Sequence, residues 1–465
     1  MDFHREIFLI NFLGIEFEIN NKPVLDEDFI PLAKFNTAFL KTASMPLSIA
    51  VHRNSGLVSV FDTCIHGTAE LQPADRFFVE RLVKFLLWAK GGYKITIYGN
   101  RQIADYIAEV YSLNGERAFD NKFMEKVYEK PFEVSYSPID EKIAENEMSK
   151  PVGHHLEGYR IGFDAGGSDR KVSAVIDGEA VFSEETVWYP KINEDPDYHY
   201  NGIVDAFKKA AGYMPRVDAI GVSSAGVYIE NRAMVGSLFL KIPDELFELK
   251  VKDIYIRAAK EIGDIPVEVV NDGDVTALAG AMELDDVKVL GIAMGTSEAG
   301  GYVDKYGNIT GWLNELAFIP VDGQLNAAGD EWSGDKGCGV KYFSQDAVIR
   351  LALKAGIILG ENLSPAEKLK EVQSLMNLNQ QGPIKIFETI GAYLGHTLPH
   401  YAFVYDMKHV LLLGRVMSGE GGNIILKVAE KVLQEEYPEA YKTLKLHLPD
   451  EKSRRIGQSV AAASL

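Results

Sequence analysis

Two periodicities of apolar and polar positions alternate along the chain, and the points where one gives way to the other mark its elements. Leu47 to Val51 and Leu57 to Phe61 are strand-like runs, and Arg53-Asn54-Ser55-Gly56 between them supplies turn residues, so the pair predicts a β-hairpin. Apolar positions then recur at helical spacing from Phe77 to Trp88. A strand-like run follows at Tyr93 to Tyr98, and a second helical stretch at Ile103 to Tyr111. Residues 1–150 are therefore expected to form a small α/β domain. The polar stretch from Ser137 to Gly158, with Pro138, Pro151, Gly153 and paired His154-His155, reads as a linker where few contacts cross.

Beyond Gly158 the pattern gives a strand, a turn at Asp177-Gly178 and a second strand through Ala180 to Phe182. A helix around Gly202 to Ala211 precedes a buried strand, Val217 to Ser223. Helix Lys252 to Ile262, strand Val267 to Val270, helix Val275 to Met282 and strand Val287 to Met294 come next. A helix-rich block spans Tyr342 to Phe403. Strand His409 to Leu413, a glycine-rich turn, helix Ile424 to Leu433 and a small-residue helix from Ile456 to Ala463 complete the chain. Alternating strands and helices predict an α/β class, with lobes at 151–285 and 286–465.

Chemistry concentrates where strands end. Ile161-Gly162-Phe163-Asp164 runs into Ala165-Gly166-Gly167-Ser168 and turns back into a strand near Val172, whereas a dinucleotide fingerprint would open a helix. Glycines here let backbone amides approach a phosphate, and Asp164 is placed to hold Mg²⁺ through water. A tight hairpin needing glycine only for positive φ has the same pattern. Met294-Gly295-Thr296-Ser297-Glu298-Ala299-Gly300-Gly301 ends another buried strand in a second such turn, with Gly295 and Thr296 as phosphate contacts. Between the two turns, Asn271-Asp272-Gly273-Asp274 follows a strand. Asp272 is the candidate general base for a substrate hydroxyl, and Asp274 a candidate N-cap of the next helix. Near the end, Leu413-Gly414 and Ser418-Gly419 form a turn that fits a nucleotide base and ribose, or a plain loop.

In this order and spacing the pieces resemble the ROK family of sugar kinases and sugar-responsive repressors, within the actin-like superfamily. The resemblance covers roughly the last two thirds of the chain. It is carried by Asp164-Ala165-Gly166-Gly167-Ser168, Ile220 to Gly226, Asn271-Asp272, Gly295-Thr296, Asn314-Glu315, Gly337-Cys338 with Tyr342 and Ser344, and Leu413-Gly414. It implies a two-lobed actin-like, ribonuclease-H-like sugar-kinase fold preceded by the small α/β domain. ATP and Mg²⁺ would be the cofactors and a sugar or polyol the ligand. Asp272 would be the catalytic base, and Asn271, Asp272 and Glu315 would contact the sugar. Asp164, Gly166, Gly167, Ser168, Gly295, Thr296, Gly414 and Gly419 would line the nucleotide.

Some positions depart from the family. Phe318 replaces a sugar-binding histidine, and Val340 a glutamate that contacts the sugar. A buried hydroxyl left without its partner costs about 1–3 kcal/mol, so the hexose preference is expected to change. Family zinc sites use three cysteines and that histidine; of these only Cys338 is present, and no zinc is expected. Glu298 would repel a polyphosphate if it pointed inward, and Arg415 stands where a second glycine is common.

Bulk properties narrow the rest. At 465 residues the chain is long enough for about three domains. A net charge of −19 opposes binding to nucleic acid or anionic membrane. The two cysteines, Cys64 and Cys338, give no disulfide framework and suit a reducing cytoplasm. The apolar run Ile7 to Ile10 is interrupted by Glu16 and Glu18 before it reaches membrane-spanning length. Strand alternation sends Asp62, Cys64 and His66 to one face, expected as a satisfied buried triplet. The function expected is ATP-dependent phosphorylation of a sugar hydroxyl. The alternative is a catalytically impaired small-molecule sensor lacking the helix-turn-helix of family repressors. The N-terminal segment has no assigned motif and is a candidate cover for the cleft or homodimer surface.

Overall fold

The computed structural model describes residues 8–147, 152–378, 380–449 and 458–465. The expected boundary at 150/151, Ile7 and the start of the last helix at Ile456 lie outside the described residues.

After the linker, the alternating pattern becomes a five-stranded sheet. Its order is Val267–Asn271, Ala219–Ser224, Tyr159–Ala165, Asp169–Ile176, Glu179–Val187. The first three strands are parallel, and the last two are antiparallel additions turned at Asp177-Gly178. Parallel strands need both faces covered. Helices Pro196–Ala211 and Ile254–Lys260 bury Phe207 and Ala258 against Phe163 and Val222 on one face. On the other face Gly162 and Gly221, paired in register, let a helix at residues 458–463 press onto the sheet. A Cβ on these glycines would lie 1.8 Å from the Ser459 carbonyl oxygen and 1.6 Å from that of Ala462.

The second lobe is built on a four-stranded sheet ordered Glu298–Val303, Val289–Met294, His409–Leu413, Lys445–His447. Helix Asp272–Leu284 packs on its first two strands. The predicted helical block resolves into Gln345–Lys354, Pro365–Asn377 and Gln381–Tyr401, the last lying along Glu420–Glu436.

Residues 8–147 form a sheet ordered Val58–Ile65, Met45–His52, Lys94–Tyr98, Glu133–Ser137, which includes the predicted hairpin. Its helix Gln72–Lys90, termed the strut below, is buried around most of its circumference from Phe78 onward, the signature of a helix packed on more than one side. Phe85 meets His400 and Tyr401 with centroids 4.7 and 5.9 Å apart, and Trp88 stacks on Phe318 at 4.2 Å. The N-terminal residues thus share one hydrophobic core with the last third of the chain. The ends are tied as well: the amides of Asn20 and Asn21 donate to Glu436 at 2.6 and 2.7 Å, and Lys34 pairs with the same carboxylate.

The expected triplet is not assembled. Asp62 is exposed and binds Ser48 and Lys142, while His66 is held by Asp75 and Thr42. Each found a partner on its own neighbouring element, so no common centre forms.

A buried ion network joins the strut to the loop before Cys338. Asp335 receives Arg81 at 3.2 Å, Lys84 at 3.2 Å and Arg117 at 2.6 Å. Glu80 takes Arg81 and Arg117 at 2.5 and 2.6 Å, and Asp120 takes Lys84 at 2.9 Å and the Trp88 indole at 2.6 Å. Three cations and three carboxylates balance. Burial alone would raise the Asp335 carboxyl, but Arg81, Lys84 and Arg117 hold it well below the usual range. Among the described residues Glu298 has no such cation. It is 2% exposed, receives the Tyr401 hydroxyl at 3.2 Å, and burial pushes its carboxyl up to about 8.

Asp335→Asn leaves three buried cations with two carboxylates and is expected to cost about 3–5 kcal/mol, read by urea unfolding of the full chain. An unchanged midpoint would show the network to be dispensable. For Glu298 the sign follows from linkage. Between the ordinary value of 4.5 and about 8 the folded chain keeps a proton that the unfolded chain has lost, so this residue's contribution to stability falls as pH rises. Glu298→Gln removes that slope, and its stability relative to the parent is expected to increase from about pH 5 to about pH 8.

Candidate active site

Register across the middle lobe places the chemistry. Ala165, Ser224 and Asn271 lie side by side at the carboxyl ends of three adjacent parallel strands. Asp164 precedes the first of these residues and Asp272 follows the last, so both carboxylates stand on one edge, about 10 Å apart by strand spacing. Ligands of open α/β sheets bind outside that edge.

Asp164 is 6% exposed and accepts the Ser223 hydroxyl at 2.9 Å, with the Lys171 ammonium at 3.6 Å. Burial raises its carboxyl above the usual range, and Lys171 and Ser223 oppose the shift. Gly166, Gly167 and Ser168 form the turn at solvent. The Trp188 indole N–H pins the Gly166 carbonyl at 2.7 Å, and the Trp188 amide binds that of Ser168 at 3.1 Å. Lys191 overhangs this turn: a Cβ on Gly167 would lie 3.2 Å from its ammonium. Sequence reasoning missed Lys191, which sits in a short 3₁₀ turn of no recognisable pattern. It adds an exposed positive charge beside the backbone amides.

Asp272 opens the helix Asp272–Leu284 and is half-buried. Burial first, then the Asp164 charge, raise its carboxyl to about 6, and Lys191 acts against them. The expected N-cap role of Asp274 is corrected. Asn271 is the cap, its Oδ1 receiving the Gly273 amide at 2.7 Å, while its Nδ2 donates to the Gly226 carbonyl at 2.7 Å. Both ends of the Asn271 amide are thereby engaged. Asp274 instead points into the second lobe, accepting the Tyr302 amide at 3.1 Å and the Asn314 side chain at 2.8 Å. Burial raises it to about 7.

Glu315 follows Asn314, whose φ of +52° bends the loop. The loop is clamped from the N-terminal segment: the Asn314 and Glu315 amides donate to the Ala89 and Trp88 carbonyls at 3.0 and 3.1 Å, at the end of the strut. The Glu315 side chain is half-buried and has no protein partner among the described residues. Burial, then Asp272 and Asp274, raise it to about 7. Phe318 is enclosed by Trp88, Phe119 and Trp332, with centroids at 4.2, 6.0 and 5.3 Å. That aromatic stack fills the position of the family histidine. Val340 is half-buried and packs against the main core.

A small cleft joins Asp272, Gly273 and Thr276 to Gly291, Ala293, Ala299 and Leu413 of the second lobe. It runs along the hairpin whose turn contains Gly295 and the exposed Thr296. Gly414, at φ +94°, lies against that strand end; a Cβ there would meet the Met294 carbonyl oxygen at 2.3 Å. Gly419 begins helix Glu420–Glu436, and Arg415 is exposed. Glu298 faces the core, away from the phosphate turn.

No protein-family model matches the sequence, and a search of curated proteins finds no relative. Among solved structures, a ROK hexokinase from Thermus thermophilus aligns at 18% identity over 65% of this chain and 97% of its own, with TM-score 0.50. A ROK transcriptional regulator, a homologue of the E. coli MLC protein, aligns at 17% identity over 67% and 79%, with TM-score 0.49. A ROK glucokinase from Streptomyces griseus, solved with glucose and AMPPNP, aligns at 19% identity over 65% and 98%, with TM-score 0.47. Over about two thirds of its length the chain therefore carries the two-lobed α/β fold of the ROK sugar kinases.

Proposed function

We propose that the protein is a ROK-type kinase that transfers phosphate from ATP to a hydroxyl of a sugar or sugar derivative. The observation that carries this reading is the placement of Asp272 and Asp164 on one carboxyl edge, with the glycine turns of both lobes beside them. Asp272 accepts the proton of the attacking hydroxyl. With its carboxyl near 6 it is mostly ionised at neutral pH yet more basic than an ordinary aspartate, which suits a general base. Glu315 accepts a second hydroxyl and fixes the ring, its backbone held by the strut. The amides of Gly166, Gly167 and Ser168, those of Gly295 and Thr296, and the Lys191 ammonium offer donors to the phosphates. Gly414 and Gly419 leave room for the adenosine.

The donor set suits Mg²⁺: Asp164 is a buried carboxylate that raises its neighbour Asp272, a repulsion that a divalent cation relieves. Bound there, Mg²⁺ would neutralise charge on the transferred phosphate. The second reading, a ligand sensor without turnover, is favoured by one feature, the aromatic stack around Phe318 where a polar sugar contact would stand.

Thermal-shift screening of sugars, amino sugars and polyols with Mg·ATP, followed by ADP release on each hit, separates the two. Asp272→Asn is expected to lower kcat at least about 100-fold while nucleotide affinity is retained. Stabilisation by ATP with no ADP release, the same in Asp272→Asn, would leave the sensor. In the active enzyme kcat/KM should fall below about pH 6 as Asp272 takes up a proton. Lys191→Ala should raise the KM for ATP about 10-fold or more, the cost of one charge-assisted contact, with little change in acceptor affinity.

A further inference from the structure

A cavity of about 670 Å³ lies between the first half of the strut and loops 322–325 and 334–336 of the last third, and none of the residues assigned above to sugar or nucleotide lines it. Its volume suits a drug-sized metabolite. Its wall carries many charged side chains among apolar ones, and most of its charges are already spent. Glu80 and Asp335 are occupied by Arg81 and Arg117. Asp322 accepts the Tyr342 hydroxyl at 2.7 Å and the Ile30 and Gln324 amides at 2.9 Å each.

What remains without a charged partner is mainly donor. The Arg76 guanidinium rests on the Tyr106 ring at 4.8 Å and has no ion pair among the described residues. Among the described residues Lys336 gives its ammonium only to the Leu325 carbonyl, at 3.1 Å. The side-chain amides of Gln72 and Gln324 line the same space without a protein partner among the described residues, and the amino end of the 19-residue strut opens there. A helix amino terminus adds positive potential to these groups. Glu116, an exposed carboxylate, and Asp322, hydrogen-bonded but with no cation beside it among the described residues, are the unspent anions on the wall. Arg76, Lys336 and the two glutamine amides, gathered in one cavity, form a donor set that suits a small anion.

We propose that this cavity is an effector site for a small organic phosphate of sugar size, held by Arg76 and Lys336, and that its occupancy is transmitted along the strut to the Glu315 loop. The path is short and physical. Asp335 on the cavity wall also holds Lys84, one turn before Trp88, and the strut ends in the two carbonyls that clamp Asn314 and Glu315. A phosphate competing for the guanidiniums of Arg81 and Arg117 loosens them from Asp335 and Glu80 and so shifts the strut. The consequence for the acceptor rests on the kinase reading; binding and transmission do not.

The test uses the full chain, with Asp272→Asn as a turnover-free background. Binding of glucose 6-phosphate and of inorganic phosphate is measured by calorimetry, and exchange of the Asn314 and Glu315 amides by hydrogen-exchange mass spectrometry. Saturable binding of glucose 6-phosphate, altered exchange at those two amides, and loss of both effects by at least about tenfold in Arg76→Gln/Lys336→Gln are expected. Arg76→Lys, which keeps the charge, should recover most of the affinity, and Mg·ATP binding should be unchanged in the double variant. Equal affinity in the double variant would place the phosphate at the glycine turns and overturn the proposal, as would the absence of saturable binding. Binding by inorganic phosphate as tight as that of the sugar phosphate would overturn the sugar-sized class. Binding lost in the double variant but without change at Asn314 and Glu315 would overturn transmission.

Discussion

Asp335 is an anion shared by three cations inside the protein, and the geometry of the rest depends on that sharing. Desolvating six charged groups is expensive, and the cost is met only when every one keeps its partners. As long as all its pairs are kept, such a network favours one arrangement of the strut against the loop that leads to Cys338. An apolar contact of similar area would allow sliding; this one fixes register.

From that register the acceptor side of the site is set. The strut places Trp88 and Ala89 so that their carbonyls take the Asn314 and Glu315 amides, and it places the Trp88 ring on Phe318. In the family that the motifs resemble, cysteines and a histidine would organise this region around zinc. Here charge pairs from an N-terminal helix stand beside the one cysteine that remains. The candidate catalytic edge is set by parallel strand register, which places Asp164 and Asp272 at strand ends outside the N-terminal segment.

That difference explains what the sequence could disclose. Strand ends followed by glycine or carboxylate follow local rules, so Asp164, Asp272 and both turns were legible, as was strand His409–Leu413 to the residue. Strand Glu298–Val303 was not, because a buried glutamate and two glycines carry no strand signal. Ile15-Glu16-Phe17-Glu18-Ile19 alternates as a strand should, but at five residues it becomes one only by pairing with Phe8–Phe12. The cap on helix Asp272–Leu284 went to Asn271 because Asp274 had a stronger claim elsewhere, on Tyr302 and Asn314, residues 28 and 40 positions away. Lys191 and the clamp on Glu315 depend on contacts between distant segments, which no local pattern encodes.

The strut also has a consequence for how the chain reaches this state. It is apolar on more than one side, yet the partners of one side, His400 and Tyr401, follow it by more than 300 residues. The amides of Asn20 and Asn21 wait longer still, for Glu436. During synthesis at about 5–20 residues per second, a sticky helix stands uncovered for tens of seconds while two lobes are made. Until the core arrives, Glu80, Arg81, Lys84 and Lys90 along the strut keep the free helix hydrated, before three of them enter the buried network.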